Sequence, residues 1–388
     1  PGDGGISHPC TKTETRDWHL LHSGGHSIQS AIPTSDGAFL LVSQGGSVAD
    51  SSTISVFTKM TESGQILWET ELDGWHDFFR IRQMNDGSFL ISGNDSDARR
   101  AYWILRLSSE GDVLWRRALS RYQGPIVMDM ADTSTGEYLI VGQYVREEDV
   151  TSNTRDLFIG RLSTDGTLLS SRTVSGWASD VAYQLVADDE GNHYVFGSRG
   201  NGEWGEATEQ AELWILKLNP AGDAILWQIM LLEPETDPSG LSFGNLWQLQ
   251  TRWIHDRFHV LFEVEYENAA WYWTFELDRD GRILNQRMTP KMVGHLTLGP
   301  GGEIYIETND AELDHCRRLH RFVPGEMSQT IWGMCFYENS WTSIQTILPR
   351  TQGDILITGF HEALSESTPS ADSGFVAMVP REPEDDTC

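Results

Sequence analysis

Ser35-Asp36-Gly37-Ala38-Phe39-Leu40-Leu41-Val42-Ser43 comes back fifty residues later as Asn85-Asp86-Gly87-Ser88-Phe89-Leu90-Ile91-Ser92-Gly93. It returns around Thr135-Gly136-Glu137-Tyr138-Leu139-Ile140-Val141-Gly142, and further copies lie at 190–197, 256–262, 301–306 and 352–359. That makes seven copies, at intervals of about 45 to 66 residues. Each copy is a Gly-centred turn running into a short apolar strand, the strongest local signal for a hairpin.

A second motif alternates with the first. It is a short apolar strand, a Gly turn and a strand that often carries Trp: 55–68 with Ser63-Gly64, 101–115 with Glu110-Gly111, and 213–227 with Ala221-Gly222. Weaker copies turn at Asp165-Gly166, Asp280-Gly281 and Pro324-Gly325. Each unit therefore reads as four strands, A to D, with A and B around the first turn and C and D around the second. No segment holds a capped 3.6-residue period, so helix fits poorly. Four-stranded units at this period predict an all-β, seven-bladed β-propeller, with residues 1–388 as one domain. The seventh unit stops after its strand C at 374–380. Residues 16–23 are expected to supply its strand D, closing the ring and hiding both sheet edges.

The cysteines fit that closure. Cys10 precedes the N-terminal strand and Cys388 follows the last one, so a Cys10–Cys388 bridge would tie residues 1–15 to the C-terminus. The midpoint of Cys316 and Cys335 falls at the Pro324-Gly325 turn, and the two are expected to face each other as a second bridge. Disulfides imply an oxidising compartment. The chain begins at Pro1 with no signal peptide in the sequence given, and the expected location is secreted, periplasmic or cell-surface.

The chain has 388 residues and a formal net charge of −29. That charge disfavours nucleic acid and anionic membrane surfaces, which both require Lys and Arg. No apolar run approaches the roughly 18–20 residues that span a bilayer.

Ser27-Ile28-Gln29 with Asp36-Gly37, Ser343-Ile344-Gln345 with Gly353, and Trp214-Ile215-Leu216-Lys217-Leu218 with Gly222 and Trp227 make a repeat that resembles bacterial secreted propellers of the delta-60 and lipoprotein type. The resemblance covers nearly the whole chain and implies a fold, not an activity. Sialidase motifs do not match: Phe79-Arg80-Ile81-Arg82 lacks the required Pro, and Ser109-Glu110-Gly111-Asp112-Val113-Leu114-Trp115 has an Asp box out of order. The Gly-to-Trp spacing of quinone-dependent dehydrogenases reads as blade packing. H-E-x-x-H, Walker and C-x-x-C motifs are missing from the sequence.

In a propeller the D-to-A and B-to-C loops share one face. Here those loops are the irregular ones, at 45–53, 145–156, 199–212, 233–245 and 361–373. A site is expected on that face, at the central channel mouth. Trp75, Trp177 and Trp341 occupy D-to-A positions and Trp204 a B-to-C loop, where exposed rings would stack on sugars or cations. The other reading packs them between blades. Trp68, Trp115, Trp227 and Trp332 lie on outer strands and read as structural.

His26 and His76 occupy matching positions in adjacent units, with Asp77 beside the second and Arg80 and Tyr183 within reach of the same channel. Such a set suits acid–base chemistry or a metal, although repeat ancestry alone also aligns histidines. The acidic loops 146–149 and 203–209 could take Ca²⁺ but lack EF-hand spacing. No organic cofactor is expected. The leading expectation is a non-catalytic propeller that binds a glycan or protein partner. Alternatives are a polysaccharide lyase or glycoside hydrolase, or a structural subunit of an extracellular assembly.

Overall fold

The computed structural model describes residues 16–21, 26–46, 53–73, 76–95, 101–121, 124–145, 155–175, 179–201, 212–231, 241–242, 249–266, 269–290, 296–309, 316–322, 329–335, 340–349, 354–363 and 373–380. All regular elements among them are β-strands. None is a helix long and apolar enough to cross a membrane.

The first five strands are β1 (Arg16–Leu21), β2 (His26–Pro33), β3 (Phe39–Gly46), β4 (Thr53–Met60) and β5 (Ile66–Asp73). Four four-stranded or five-stranded meanders follow. They are β6 (His76–Gln83), β7 (Phe89–Asp95), β8 (Ala101–Leu107) and β9 (Val113–Arg121); β10 (Gly124–Asp132), β11 (Tyr138–Val145), β12 (Arg155–Leu162) and β13 (Leu168–Val174); β14 (Ser179–Ala187), β15 (His193–Asn201), β16 (Glu212–Leu218) and β17 (Ile225–Leu231); and β18 (Leu241–Ser242), β19 (Gln250–Ile254), β20 (Arg257–Tyr266), β21 (Ala269–Leu277) and β22 (Ile283–Pro290). A further meander holds β23 (Leu296–Leu298), β24 (Ile304–Asn309), β25 (Cys316–Phe322) and β26 (Gln329–Cys335), and the chain ends with β27 (Ser340–Pro349), β28 (Asp354–Ala363) and β29 (Ser373–Pro380).

The described strands form six hydrogen-bonded sheets, which corrects the expectation of seven blades. The strands assigned to the first and last units merge into one eight-stranded sheet, ordered β27-β28-β29-β2-β3-β4-β5 with β1 paired to β29. A parallel register pair, His26 with Ser373, joins the two sets. Parallel pairing between distant segments leaves no turn signature in a sequence, so a count of hairpins cannot detect it. The partner expected for the last strand is present. β1 runs antiparallel to β29, with Arg16 opposite Met378 and Leu21 opposite Gly374.

By contacts the chain divides into two compact units, residues 1–31, 62–64 and 292–388, and residues 32–61 and 65–291. In the first, Tyr305, Ile306 and Leu319 are buried in one sheet and Ile355, Leu356 and Ile357 in another. In the second, apolar clusters succeed one another between neighbouring sheets. Leu40, Phe57, Phe89 and Trp103 form one, Leu90, Ile104, Tyr138 and Phe158 the next, then Leu139, Ile159, Val195 and Trp214, then Phe196, Phe258 and Trp273. The continuous apolar runs of the B and C strands are thereby explained, since both of their faces are covered.

The recurring Trp of the D strands has a definite task. Trp68 donates its indole N–H to the Ser109 carbonyl at 2.9 Å, and Trp115 does the same to Thr164 at 2.9 Å. Each acceptor lies in the C–D turn of the next sheet. A β-carbon on Gly111 would come within 2.6 Å of the Trp68 ring, so the glycine makes room for the clasp. Trp115→Phe keeps the ring but removes the donor, and should cost about 0.5–1.5 kcal/mol in urea unfolding; no loss would show the clasp to be packing alone.

A second recurring glycine sets the shape of the inner strands. Phe78, Val127, Ala182 and Ile344 on the A strands pair with Gly93, Gly142, Gly197 and Gly359 on the B strands. Immediately after each of these pairs the register slips by one, leaving Phe79, Met128, Tyr183 and Gln345 as bulge residues. A β-carbon on Gly93 would lie 2.6 Å from the Asp77 carbonyl, and one on Gly142 or Gly197 would overlap the carbonyl of Ile126 or Val181. In β20 and β24 the matching residues are Phe262 and Thr308, and the described registers with β19 and β23 stop before them, at Leu261 and Ile306. An inserted residue re-aims the side chains that follow it.

Candidate functional site

The bulges are followed by Arg80 on β6, Asp129 on β10, Gln184 on β14 and Thr346 on β27. Each lies seven residues before the turn glycine of its unit, Gly87, Gly136, Gly191 or Gly353. Strand A of each of these four sheets thus carries a polar residue at one repeated place.

Arg82 and Asp129 form a two-pronged ion pair, Nε to Oδ1 at 2.8 Å and Nη2 to Oδ2 at 2.6 Å. Asp129 is fully buried. It also accepts the backbone N–H of Met130 at 2.9 Å and that of Leu185, on β14, at 2.8 Å. Arg82 Nη2 donates to the Leu185 carbonyl at 3.2 Å. One carboxylate therefore binds β6, β10 and β14 together. Burial pushes the Asp129 pKa up, but the charges of Arg82 and Arg80 outweigh it and hold the group below the ordinary carboxylate range.

Arg80 spans the same three strands differently. Its Nε donates to the Met128 carbonyl at 3.3 Å and its Nη2 to the Tyr183 carbonyl at 3.2 Å. Asp129 Oδ1 is 3.5 Å from its Nε. About four lone-pair positions are available on a carboxylate, and Arg82, Met130 and Leu185 fill them. Burial lowers the Arg80 pKa by more than Asp129 restores, with Arg82 opposing as well. Arg82, by contrast, is held above the ordinary arginine range by Asp129 despite burial. Two guanidiniums against one carboxylate leave one uncompensated positive charge in the cluster. The Arg80 side chain is 33% exposed.

His76 is elsewhere. It is 3% exposed and stands edge-on to Trp103, centroids 5.4 Å apart. Its Nε2 donates to the Asp73 carbonyl at 3.0 Å. Its Nδ1 is 3.2 Å from Asp95 but out of line for a hydrogen bond. Asp95 is occupied by the indole N–H of Trp103 at 2.8 Å and by Arg116 at 2.5 Å. Asp77, the next residue along the strand, is exposed, as the two-residue period requires. The structure therefore does not bring His76 and Asp77 together. It does bring Arg80 to Tyr183, through the Tyr183 backbone; the Tyr183 ring is buried, and its hydroxyl accepts from Ser198 at 3.4 Å.

His26 opens β2, and its side chain lies outside the described residues, as does that of Trp341 at the start of β27. Trp75, Trp177 and Trp204 lie outside them altogether, and so do the acidic loops 146–149 and 203–209. Among the described residues no cluster of His, Cys, Asp or Glu could hold a metal ion. The backbone register sets Cys316 opposite Cys335 across β25 and β26, while Cys10 and Cys388 are outside the described residues.

Arg82 and Asp129 were absent from the set expected from sequence. A signal existed. Arg80 and Asp129 occupy the same repeat position in adjacent units with opposite charge, which is unusual for an inward-facing strand.

The buried imidazoles give the chain a pH signature. Burial is the first cause lowering the pKa of His76, His193, His259 and His320. Unfolded histidine titrates near 6.5, so the unfolded chain takes up protons first. Their contribution is complete above that pH and is lost as pH falls through the folded values. A second decline belongs to the carboxylates. The Lys59 hydrogen bond, then that of Thr34, lowers Asp36 to about 2. Asp132, raised mainly by burial, opposes the trend. Thermal midpoints should therefore be level near pH 7 to 8 and fall steadily below 6.5. A flat profile from pH 7 to 5 would contradict the burial of these rings.

No protein-family profile matches the chain, and no curated protein sequence does. Solved structures do match. The β-propeller domain of the Trilobed protease from Pyrococcus furiosus superimposes with a TM-score of 0.54 at 8% identity, covering 95% of this chain and 100% of that one. The polysaccharide lyase Uly1 gives 0.54 at 8% identity, covering 94% and 91%. At such identity the likeness carries the fold alone. The coarser part of the expected resemblance stands without its finer, family-level part, and the chain is a β-propeller protein.

Proposed function

We propose that this chain is a binding propeller that takes a glycan or protein partner at the end of its sheets where the A strands begin. The observation that carries the reading is the asymmetry of the two ends. The A–B and C–D connections are tight turns whose glycines, among them Gly37, Gly87, Gly136, Gly166 and Gly222, adopt positive φ. The B-to-C connections at the other end differ from unit to unit, from two residues between β20 and β21 to ten between β15 and β16. Variable loops on a fixed scaffold are where recognition is built. The partly exposed Arg80 adds a charged group on an A strand.

The test incubates the full chain with neutral and acidic polysaccharides and reads both retention and polymer length. Retention with intact polymer supports the reading; shortened polymer would replace it with a lyase or hydrolase. The same proposal places the protein outside the cytoplasm, secreted, periplasmic or on the cell surface, with Cys316–Cys335 and Cys10–Cys388 as disulfides. The register of Cys316 against Cys335 supports the first bridge. A thiol assay on denatured, unreduced protein should find no free cysteine, and four free thiols would remove both bridges and the compartment.

A further inference from the structure

We infer that Arg80 is the anchor for a carboxylate on a sugar ring, so that the ligand of this propeller is a uronic-acid-bearing glycan. The inference rests on the binding role proposed above and adds the chemistry of the ligand. Three observations on β6 and its neighbours support it.

Arg80 shares its counter-ion. Among the described residues its ion-pair partner is Asp129, at 3.5 Å, whose oxygens also serve Arg82 and the Met130 and Leu185 amides. The guanidinium of Arg80 is also held in place. Its Nε and one Nη2 proton are fixed on the Met128 and Tyr183 carbonyls, which leaves its other N–H donors for a ligand. A planar fork with fixed orientation recognises a carboxylate better than a freely rotating ammonium does.

An aromatic pair begins at the residue before it. Phe79, the bulge residue, and Tyr102 are both partly exposed, with ring centroids 6.2 Å apart and planes inclined by 30°. Both pack against the cluster of Ile126, Met128 and Val145, and the Met128 carbonyl receives Arg80 Nε. A cation beside an apolar ring surface matches a pyranose that carries a carboxylate: one face stacks while the acid meets the guanidinium. An acidic peptide would use the cation but has no need of the rings. The net charge of −29 repels a long polyanion, so a short oligomer is the appropriate probe.

The experiment titrates the full chain by calorimetry with a galacturonate hexamer, with the same hexamer after reduction of its carboxyl groups, and with hexaglutamate. Arg80→Lys keeps the charge and loses the fork, and Arg80→Ala removes both; circular dichroism and thermal midpoints establish that each variant is folded. The galacturonate hexamer should bind, its reduced form should not, and both variants should weaken binding by roughly 10- to 100-fold, as expected for charge-assisted hydrogen bonds. Equal binding of the reduced hexamer, or unchanged affinity in folded Arg80→Ala, would overturn the inference while leaving a glycan-binding role intact. Arg80-dependent binding of hexaglutamate at equal or higher affinity would reassign the site to an acidic peptide. If none of the three probes binds the wild-type chain, the inference fails, and retention of a neutral polysaccharide then decides whether the binding role survives it.

Discussion

Replacing Asp129 by asparagine is expected to destabilise the chain by about 3–5 kcal/mol in urea unfolding, the range found when one partner of a buried ion pair is removed. The amide keeps the shape and one acceptor oxygen, but it puts an NH₂ where two donors now converge. With the NH₂ at the Oδ2 position, both the second Arg82 bond and the Leu185 N–H lose their acceptor. Arg82, which depends on Asp129 to offset its burial, becomes a second uncompensated cation beside Arg80. The loss is not the net value of the pair, because desolvating three charges is itself costly. Asp129→Leu combined with Arg82→Met should therefore recover more than half of the deficit. A loss below about 1 kcal/mol in Asp129→Asn would mean that water reaches the carboxylate, contrary to its full burial.

The second large effect is expected at Gly142. Its φ is ordinary, and the constraint is space. A β-carbon there overlaps the Ile126 carbonyl and comes within 3.0 Å of the Met128 amide. Backbone cannot step aside as a side chain can, so the bulge must open or β10 must move. Gly142→Ala should cost about 2–4 kcal/mol, the range of strain and overpacking inside a close-packed core. It should also displace Asp129, two residues beyond Val127 in the bulged register. Gly136 is the control. Its φ is +78° and nothing lies within 4 Å of an added β-carbon. Gly136→Ala therefore carries only the left-handed backbone penalty, about 1–2 kcal/mol. Equal losses at the two positions would refute the assignment of the bulge to Gly142.

The two glycines also mark what is legible in a sequence. The turn glycine is local, since its φ follows from the hairpin it closes, and the repeat of Asp-Gly with apolar alternation announced the hairpins of each unit. The bulge glycine recurred just as visibly, yet its role was hidden, because the carbonyl that excludes a side chain belongs to the neighbouring strand. Trp68 and Trp115 of the D strands are structural, as their outer-strand position suggests, while their acceptors, carbonyls in the next sheet, are not readable from sequence.

The candidate site divides in the same way. Arg80 was recognisable as a charge on an inner strand. His76 and Asp77 are adjacent in sequence and suggested a joint role, but strand geometry sends successive side chains to opposite faces. The Arg82–Asp129 pair links residues 47 positions apart, and Leu185 adds a partner 56 positions further on. No local pattern encodes such a bond.

By itself the sequence determined the all-β class, the hairpins and their turns, the antiparallel partner of the last strand, and an acidity that disfavours nucleic acid. Those follow from spacings of a few residues or from composition. Tertiary structure decided that the described strands make six sheets, that His76 is enclosed, and that Arg80 must share Asp129 with Arg82. Each of these depends on which distant backbone groups meet. The parallel contact of His26 with Ser373 fuses two sets of strands, and the four hydrogen bonds that fill Asp129 leave Arg80 a longer ion pair with it.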